Sequence, residues 1–401
     1  MTNKLNILFI CNKSPWPARE GGPIAMNQLI EGLADVGHNI KVLAINTNKY
    51  AVRHEDIPEW YKKTTNIELL YINLAFKPIP AFMNLFSTKS YHVERFISEE
   101  FHDKIKEVLS TQSFDIVQIE TLFMSPYMDT IRKYSKAKII LRAHNIEHLI
   151  WKRVASNDKN PFKKFYIGHL ARTLELYERN IIKTYDGIVP ITAKDALFFK
   201  TMTDMPILPL PFGVDTDKIK KSTEIKPEMT LFHIGAMNWI PNEEGIKWFL
   251  EEVWPMVEEK LPAVKLYLAG REMPEWLFKL KRKNIIIVGE VDNAYDFIRS
   301  KSISIAPLFS GSGIRIKIIE SMALGKTVIS TSIGAEGINI ENDKNILIAN
   351  TPLDFFEAIK LLYANEQMAE DIGNRARQLI EQEHSTKKLI SQLVGFYQQI
   401  L

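Results

Sequence analysis

Short apolar runs alternate with amphipathic stretches along nearly the whole chain. Asn6 to Cys11 predicts a strand. Gly21-Gly22-Pro23 then opens a helix whose Met26, Ile30 and Leu33 form one stripe. Gly37 ends that helix, and Asn39 to Ile45 predicts the next strand. More strands are expected at Ile67 to Tyr71, Asp115 to Ile119, Ala137 to Leu141 and Gly187 to Ile191, with helices between them, notably Phe165 to Lys183. Continuous apolar strands separated by helices indicate a parallel, doubly wound α/β sheet.

Between Met205 and Asp217, Pro206, Pro209, Pro211 and Gly213 break every periodicity and mark a linker. A second alternation follows. Strands are predicted at Thr230 to Ile234, Lys265 to Ala269, Asn284 to Val288, Ser302 to Pro307 and Thr327 to Thr331. Pro241 opens a helix with Ile246, Phe249, Leu250 and Val253 on one face, and the last helix spans roughly Lys387 to Leu401. The expectation is two Rossmann-like doubly wound domains facing each other across a cleft, residues 1–208 and 209–386.

Composition narrows the class. At 401 residues the chain exceeds one ordinary core, and 46% hydrophobic with 25% charged residues is ordinary for a globular protein. A net charge of +3 is too small to make nucleic acid the main partner. The single cysteine, Cys11, excludes an internal disulfide framework and fits a reducing compartment. At a strand end it is a packed thiol or a nucleophile. No run reaches the length of a membrane-spanning helix, and Leu5 to Cys11 reads as a strand, not a signal peptide. The expected location is cytoplasmic. The basic stretch from Trp151 to Tyr166 either touches an anionic membrane at its inner face or is a solvated helix face.

Ligands of open parallel sheets bind beyond the carboxyl ends of the strands. Those ends carry Arg19 to Gly22, Glu120, His144-Asn145, Gly235 to Asn238, Gly270-Arg271, Gly289-Glu290 and Ser310 to Arg315, the composition of an anion-binding cleft. Most informative is Ala306 to Gly325: an apolar strand, a loop with Gly311, Ser312, Gly313 and Ile314, then a helix. Backbone N–H groups at such a helix start bind phosphate. Arg315, Lys317 and Glu320 stand among apolar positions, so each needs a partner. A pyrophosphate beside a ribose would satisfy all three. The alternative is a surface loop with a Lys317–Glu320 ion pair.

Elsewhere the readings stay open. Gly21-Gly22 is a simple turn or a close approach to a ligand. His144 caps the following residues or faces a sugar, and Glu120 acts on an acceptor or is structural. Asp215-Thr216-Asp217 resembles a metal-holding pair, yet the linker sets it apart from the phosphate loop, so no metal is expected.

Together these residues resemble the family-four retaining glycosyltransferases, the glycosyl transferases group 1, on the two-domain GT-B fold. The resemblance covers almost the whole chain. It rests on Arg19-Glu-Gly-Gly22, Arg142-Ala-His-Asn-Ile-Glu147, Pro211-Phe-Gly-Val-Asp215, His233 to Asn242 and Pro307 to Gly325. It implies transfer of a sugar from a nucleoside diphosphate to a saccharide or lipid-linked acceptor with retention of configuration, as in polysaccharide, glycolipid or other glycoconjugate biosynthesis. No cofactor or metal is implied.

Under it His144, Arg315, Lys317 and Glu320 are catalytic, with His144 near the anomeric carbon and Glu320 on the ribose. Gly21, Gly22, Gly235, Asn238, Gly289, Val291, Ser312, Gly313 and Ile314 bind the donor; Glu120 and Asn145 serve the acceptor. The terminal helix, 387–401, crosses back to the first domain. The family pairs two glutamates, and Ser312 replaces the first. That substitution motivates the rival reading of a catalytically silent nucleotide-sugar-binding relative; a nucleotide-sugar epimerase is the other alternative.

Overall fold

The computed structural model describes residues 4–18, 21–48, 51–75, 83–217, 219, 229–310 and 313–401. Ser312, expected to bind the donor, lies outside them. The chain divides into two compact units, residues 1–211 with 389–401 and residues 212–388.

Unit 1 holds a six-stranded parallel sheet of β1 (Asn6–Cys11), β2 (Asn39–Thr47), β3 (Glu68–Ile72), β4 (Ile116–Glu120), β5 (Lys138–Ala143) and β6 (Gly187–Pro190). Their spatial order is β3-β2-β1-β4-β5-β6. Alternation along β1 sends Leu8 and Ile10 into one core and Ile7, Phe9 and Cys11 into the other. Both faces are covered, which is why the strands read as unbroken apolar runs. The second core is closed by the C-terminal helix, Thr386–Ile400, through Leu389, Ile390, Leu393 and Tyr397. A Cβ on Gly187 would stand 2.6 Å from Ile400 Cδ1, so glycine permits that helix to sit against β6.

Unit 2 repeats the topology with β7 (Thr230–Ile234), β8 (Lys265–Ala269), β9 (Ile285–Gly289), β10 (Ile303–Ala306), β11 (Thr327–Ser330) and β12 (Leu347–Ile348). Their order is β12-β11-β10-β7-β8-β9, the same winding. The two-residue β12 carries too little pattern to be read from sequence. In each sheet the order reverses beside the first strand, between β1 and β4 and between β7 and β10. Ligands of doubly wound sheets bind at that reversal.

Candidate functional site: a cationic loop in unit 2 and a buried polar chain in unit 1

The loop after β10 leads into the Ile316–Ala323 helix. Arg315 is not within that helix but at its N-cap, with extended backbone (φ −87, ψ 96). Its side chain turns back on the loop, donating to the carbonyls of Gly313 at 2.6 Å and Ser310 at 3.5 Å. Arg315 is 4% exposed, and a buried guanidinium takes the nearest acceptors. Gly313 has φ +80, a conformation that favours glycine. Ile314 is half-buried beside it.

Half-buried Lys317 donates from Nζ to Asn242 Oδ1 at 2.5 Å and lies 3.3 Å from His233 Nε2. The other ring nitrogen of His233 donates to Ile305 O at 3.0 Å, so the lone pair of Nε2 faces the ammonium. Both partners of Lys317 are neutral. Among the described residues it makes no ion pair, and the alternative Lys317–Glu320 bridge is not formed. Burial, then the neighbouring Arg315, pushes the Lys317 ammonium down to about 7. Trp239 lies beside both cations, its ring 5.3 Å from the Arg315 guanidinium carbon and 6.0 Å from Lys317 Nζ. Glu320 accepts from the Tyr295 hydroxyl at 3.2 Å, and burial pushes its carboxyl up to about 7.

Two glycines make room for this cluster. A Cβ on Gly235 would stand 2.8 Å from Asn242 Nδ2 and 3.2 Å from Lys317 Nζ. A Cβ on Gly270 would stand 1.8 Å from Gly235 O. Asn238 is exposed in the turn after β7. Gly289 ends β9 with φ +79, and Val291 is half-buried just beyond. Asp215 proves less remote than its place in the linker suggests: burial, then Glu320, raises the Tyr295 hydroxyl, and the charge of Asp215 adds to it.

In unit 1, His144 Nε2 lies 2.7 Å from Glu120 Oε2. Glu120 is fully buried and also accepts from Gln118 Nε2 at 2.5 Å, while Gln118 Oε1 accepts from the Tyr397 hydroxyl. Glu120 thus exposes no surface to solvent and is bonded to His144, as a buried carboxylate must be hydrogen-bonded. Asn145 is half-buried and bonds Glu147. Gly21 and Gly22 open the Gly21–Asp35 helix, where a Cβ on Gly22 would meet Lys13 Cε at 3.2 Å. Burial, then Glu120, raises the thiol of Cys11, so it is packed rather than reactive.

His233, Asn242 and Tyr295 were not singled out from the sequence. A histidine inside the apolar run of β7 is the signal that marks the first. Among the described residues no cluster of three or more His, Cys, Asp or Glu suits a metal ion.

Residues 228–365, which exclude Asp215 and Asp217 but contain every other unit 2 group just described, match the model of the glycosyl transferases group 1. Unit 2 thus carries the segment that resembles this family. Two doubly wound units are the architecture of its GT-B glycosyltransferases. This glycosyltransferase is 22% identical over 403 residues to an uncharacterized 44.6 kDa protein in the cps region of Klebsiella pneumoniae, covering 96% of this chain and 98% of the other. It is 22% identical over 394 residues to an uncharacterized glycosyltransferase of Methanocaldococcus jannaschii, covering 92% and 91%. Anabaena HepE, solved in complex with UDP-glucose, matches in fold with a TM-score of 0.64 at 10% identity, over 98% of this chain and 100% of that one.

Proposed function

We propose that this glycosyltransferase moves a sugar from a nucleoside diphosphate to a saccharide or lipid-linked acceptor, with retention of configuration, in the synthesis of a polysaccharide, glycolipid or other glycoconjugate. The observation that carries the reading is Lys317, an ammonium drawn into the protein and held, among the described residues, by neutral partners. A cation placed so is satisfied by an anion supplied from outside.

Transfer breaks the bond between the anomeric carbon and a phosphate oxygen, and negative charge gathers on the departing diphosphate. Lys317, Arg315 and the first N–H groups of the Ile316–Ala323 helix are the groups we assign to that charge. Because side chains and backbone meet it, the reading requires no metal. Glu320, steadied by Tyr295, is assigned to the ribose hydroxyls, and Gly289 to Val291 to the base. His144, fixed by Glu120, is assigned to the sugar. The complex of HepE with UDP-glucose supports a nucleotide-sugar donor. A chain whose one cysteine is packed needs no disulfide, which suits the cytoplasm.

The test is a thermal-shift panel of uridine, guanosine, adenosine and thymidine diphosphates, followed by turnover of the matching nucleotide-sugars. We expect one base to raise the melting temperature, Arg315→Ala to remove the effect, and one donor to be consumed. Absence of any shift refutes the reading; a shift without turnover across all donors favours a silent relative.

A further inference from the structure

The turn between the Glu147–Asn157 and Pro161–Ile181 helices carries large apolar side chains outward. Phe162 is 84% exposed and Phe165 74%. Their spacing puts them on one helix face with His169, whose Nε2 donates to Asn84 O at 3.0 Å. Met83 and Phe86, flanking Asn84, are 66% and 84% exposed, so a second pair of apolar groups adjoins the same side of unit 1. The turn is well built. Asn160 Oδ1 accepts from the N–H groups of Phe162 at 3.0 Å and Lys163 at 3.2 Å, and Asp158 Oδ1 accepts from Asn160 N at 2.8 Å. Lys164 Nζ reaches Ser156 O at 3.3 Å. The rings are held in solvent by a capped helix start, whereas proteins ordinarily hide such rings.

Cations surround them. Arg153, Lys159, Lys163 and Lys164 are exposed and form no ion pair among the described residues. Asp158 is the one acid between Trp151 and Tyr166. The acids further along the second helix are already engaged, Glu175 by Lys152 at 2.7 Å and Glu178 by His148 at 2.5 Å.

We propose that this turn seats unit 1 on an anionic lipid bilayer, its phenyl rings entering the headgroup–acyl boundary and its cations meeting the lipid phosphates. A second copy of the chain does not fit, because it would bring the same positive charge against this one. An acidic protein would match the cations but leaves the projecting rings without a purpose. The bilayer matches both. Among the described residues no helix is long and apolar enough to cross a membrane, so the contact is peripheral. It stands apart from the sugar-transfer reading.

The experiment is sedimentation of the full chain with vesicles of phosphatidylcholine alone and of phosphatidylcholine mixed with phosphatidylglycerol. Binding should require the anionic lipid and weaken as salt rises from about 0.1 M to about 1 M, where screening shortens from about 10 Å to about 3 Å. The double variant Lys163→Glu/Lys164→Glu should lower the partition coefficient by roughly tenfold or more. Phe162→Ala/Phe165→Ala should lower it too, with an unchanged melting temperature, since both rings are already in solvent. No binding to either vesicle, equal binding to both, or full binding by both variants overturns the proposal. So does a Phe-dependent dimer that forms without lipid.

Discussion

His233 turns its Nε2 toward Lys317 at 3.3 Å while its Nδ1–H is committed to Ile305 O. A neutral histidine is thereby the floor under the Lys317 ammonium. Burial, then Lys317, lowers the imidazole well below its ordinary value, so it stays neutral and acts as an acceptor.

Proton linkage at Lys317 follows. With its ammonium pushed down to about 7, the free protein sheds that proton across the neutral range. A bound diphosphate favours the charged form, so nucleoside diphosphate binding should take up a proton near pH 7.5 and weaken as pH rises further. Calorimetry in buffers of different ionisation heat measures the uptake. Lys317→Met should abolish it and weaken binding; identical heats in all buffers would contradict the assignment.

Asn242→Asp tests the neutrality of the partners. The variant places a carboxylate where Oδ1 now lies 2.5 Å from Lys317. It should raise the lysine's pKa and weaken diphosphate binding by about tenfold or more, since the ammonium is already satisfied. Unchanged affinity by titration would show that Lys317 does not meet the ligand.

Gly235 and Gly270 should separate function from folding. Gly235→Ala crowds Asn242 Nδ2 at 2.8 Å and Lys317 Nζ at 3.2 Å, both movable ends of side chains. It should weaken nucleotide binding with little loss of melting temperature. Gly270→Ala meets the Gly235 carbonyl at 1.8 Å with φ +147 and should destabilise the protein outright. Circular dichroism melts and titration of both variants decide between these outcomes.

Tyr397→Phe removes one hydroxyl from the chain Tyr397–Gln118–Glu120–His144. The lost hydrogen bond is worth about 0.5–1.5 kcal/mol. If His144 works on the sugar, turnover should fall by up to about tenfold while diphosphate affinity stays constant. A change in affinity with constant turnover would place the chain's influence elsewhere.

Glu147 gives a pH signature in stability. Burial, then Glu178, pushes its carboxyl from 4.5 up to about 8. Between those values the unfolded chain has lost a proton that the folded chain keeps, so this group's contribution falls as pH rises through the interval. Glu147→Gln should therefore gain melting temperature relative to the parent as pH goes from about 5 to about 8. A constant difference across that range would refute it.

The winding of both sheets was legible because the inner strands are covered on two faces and the helices between them on one. Ile303 to Ala306, followed by glycines and then an apolar stripe, was legible as strand, loop and helix for the same reason. The conformation of Arg315 was not legible, because its acceptors are carbonyls of its own loop, which no residue pattern encodes. The place of Glu120 was also hidden: an acid at a strand end looks the same whether it meets solvent or supports a histidine. Tyr397 and Gln118 are 279 positions apart, and nothing local in either segment points to the other.

The second core of unit 1 is finished by residues far along the chain. Leu389, Ile390, Leu393 and Tyr397 join Ile7 and Phe9 in a single apolar cluster. Translation runs in the opposite sense, so the nascent N-terminal sheet emerges with one flank bare. It must wait while residues 212–388 are made and often fold. Only when residues 389–397 have themselves emerged can they cover that flank. A chain cut after Lys388 would keep the whole of unit 2 and still leave unit 1 incomplete and dependent on chaperones.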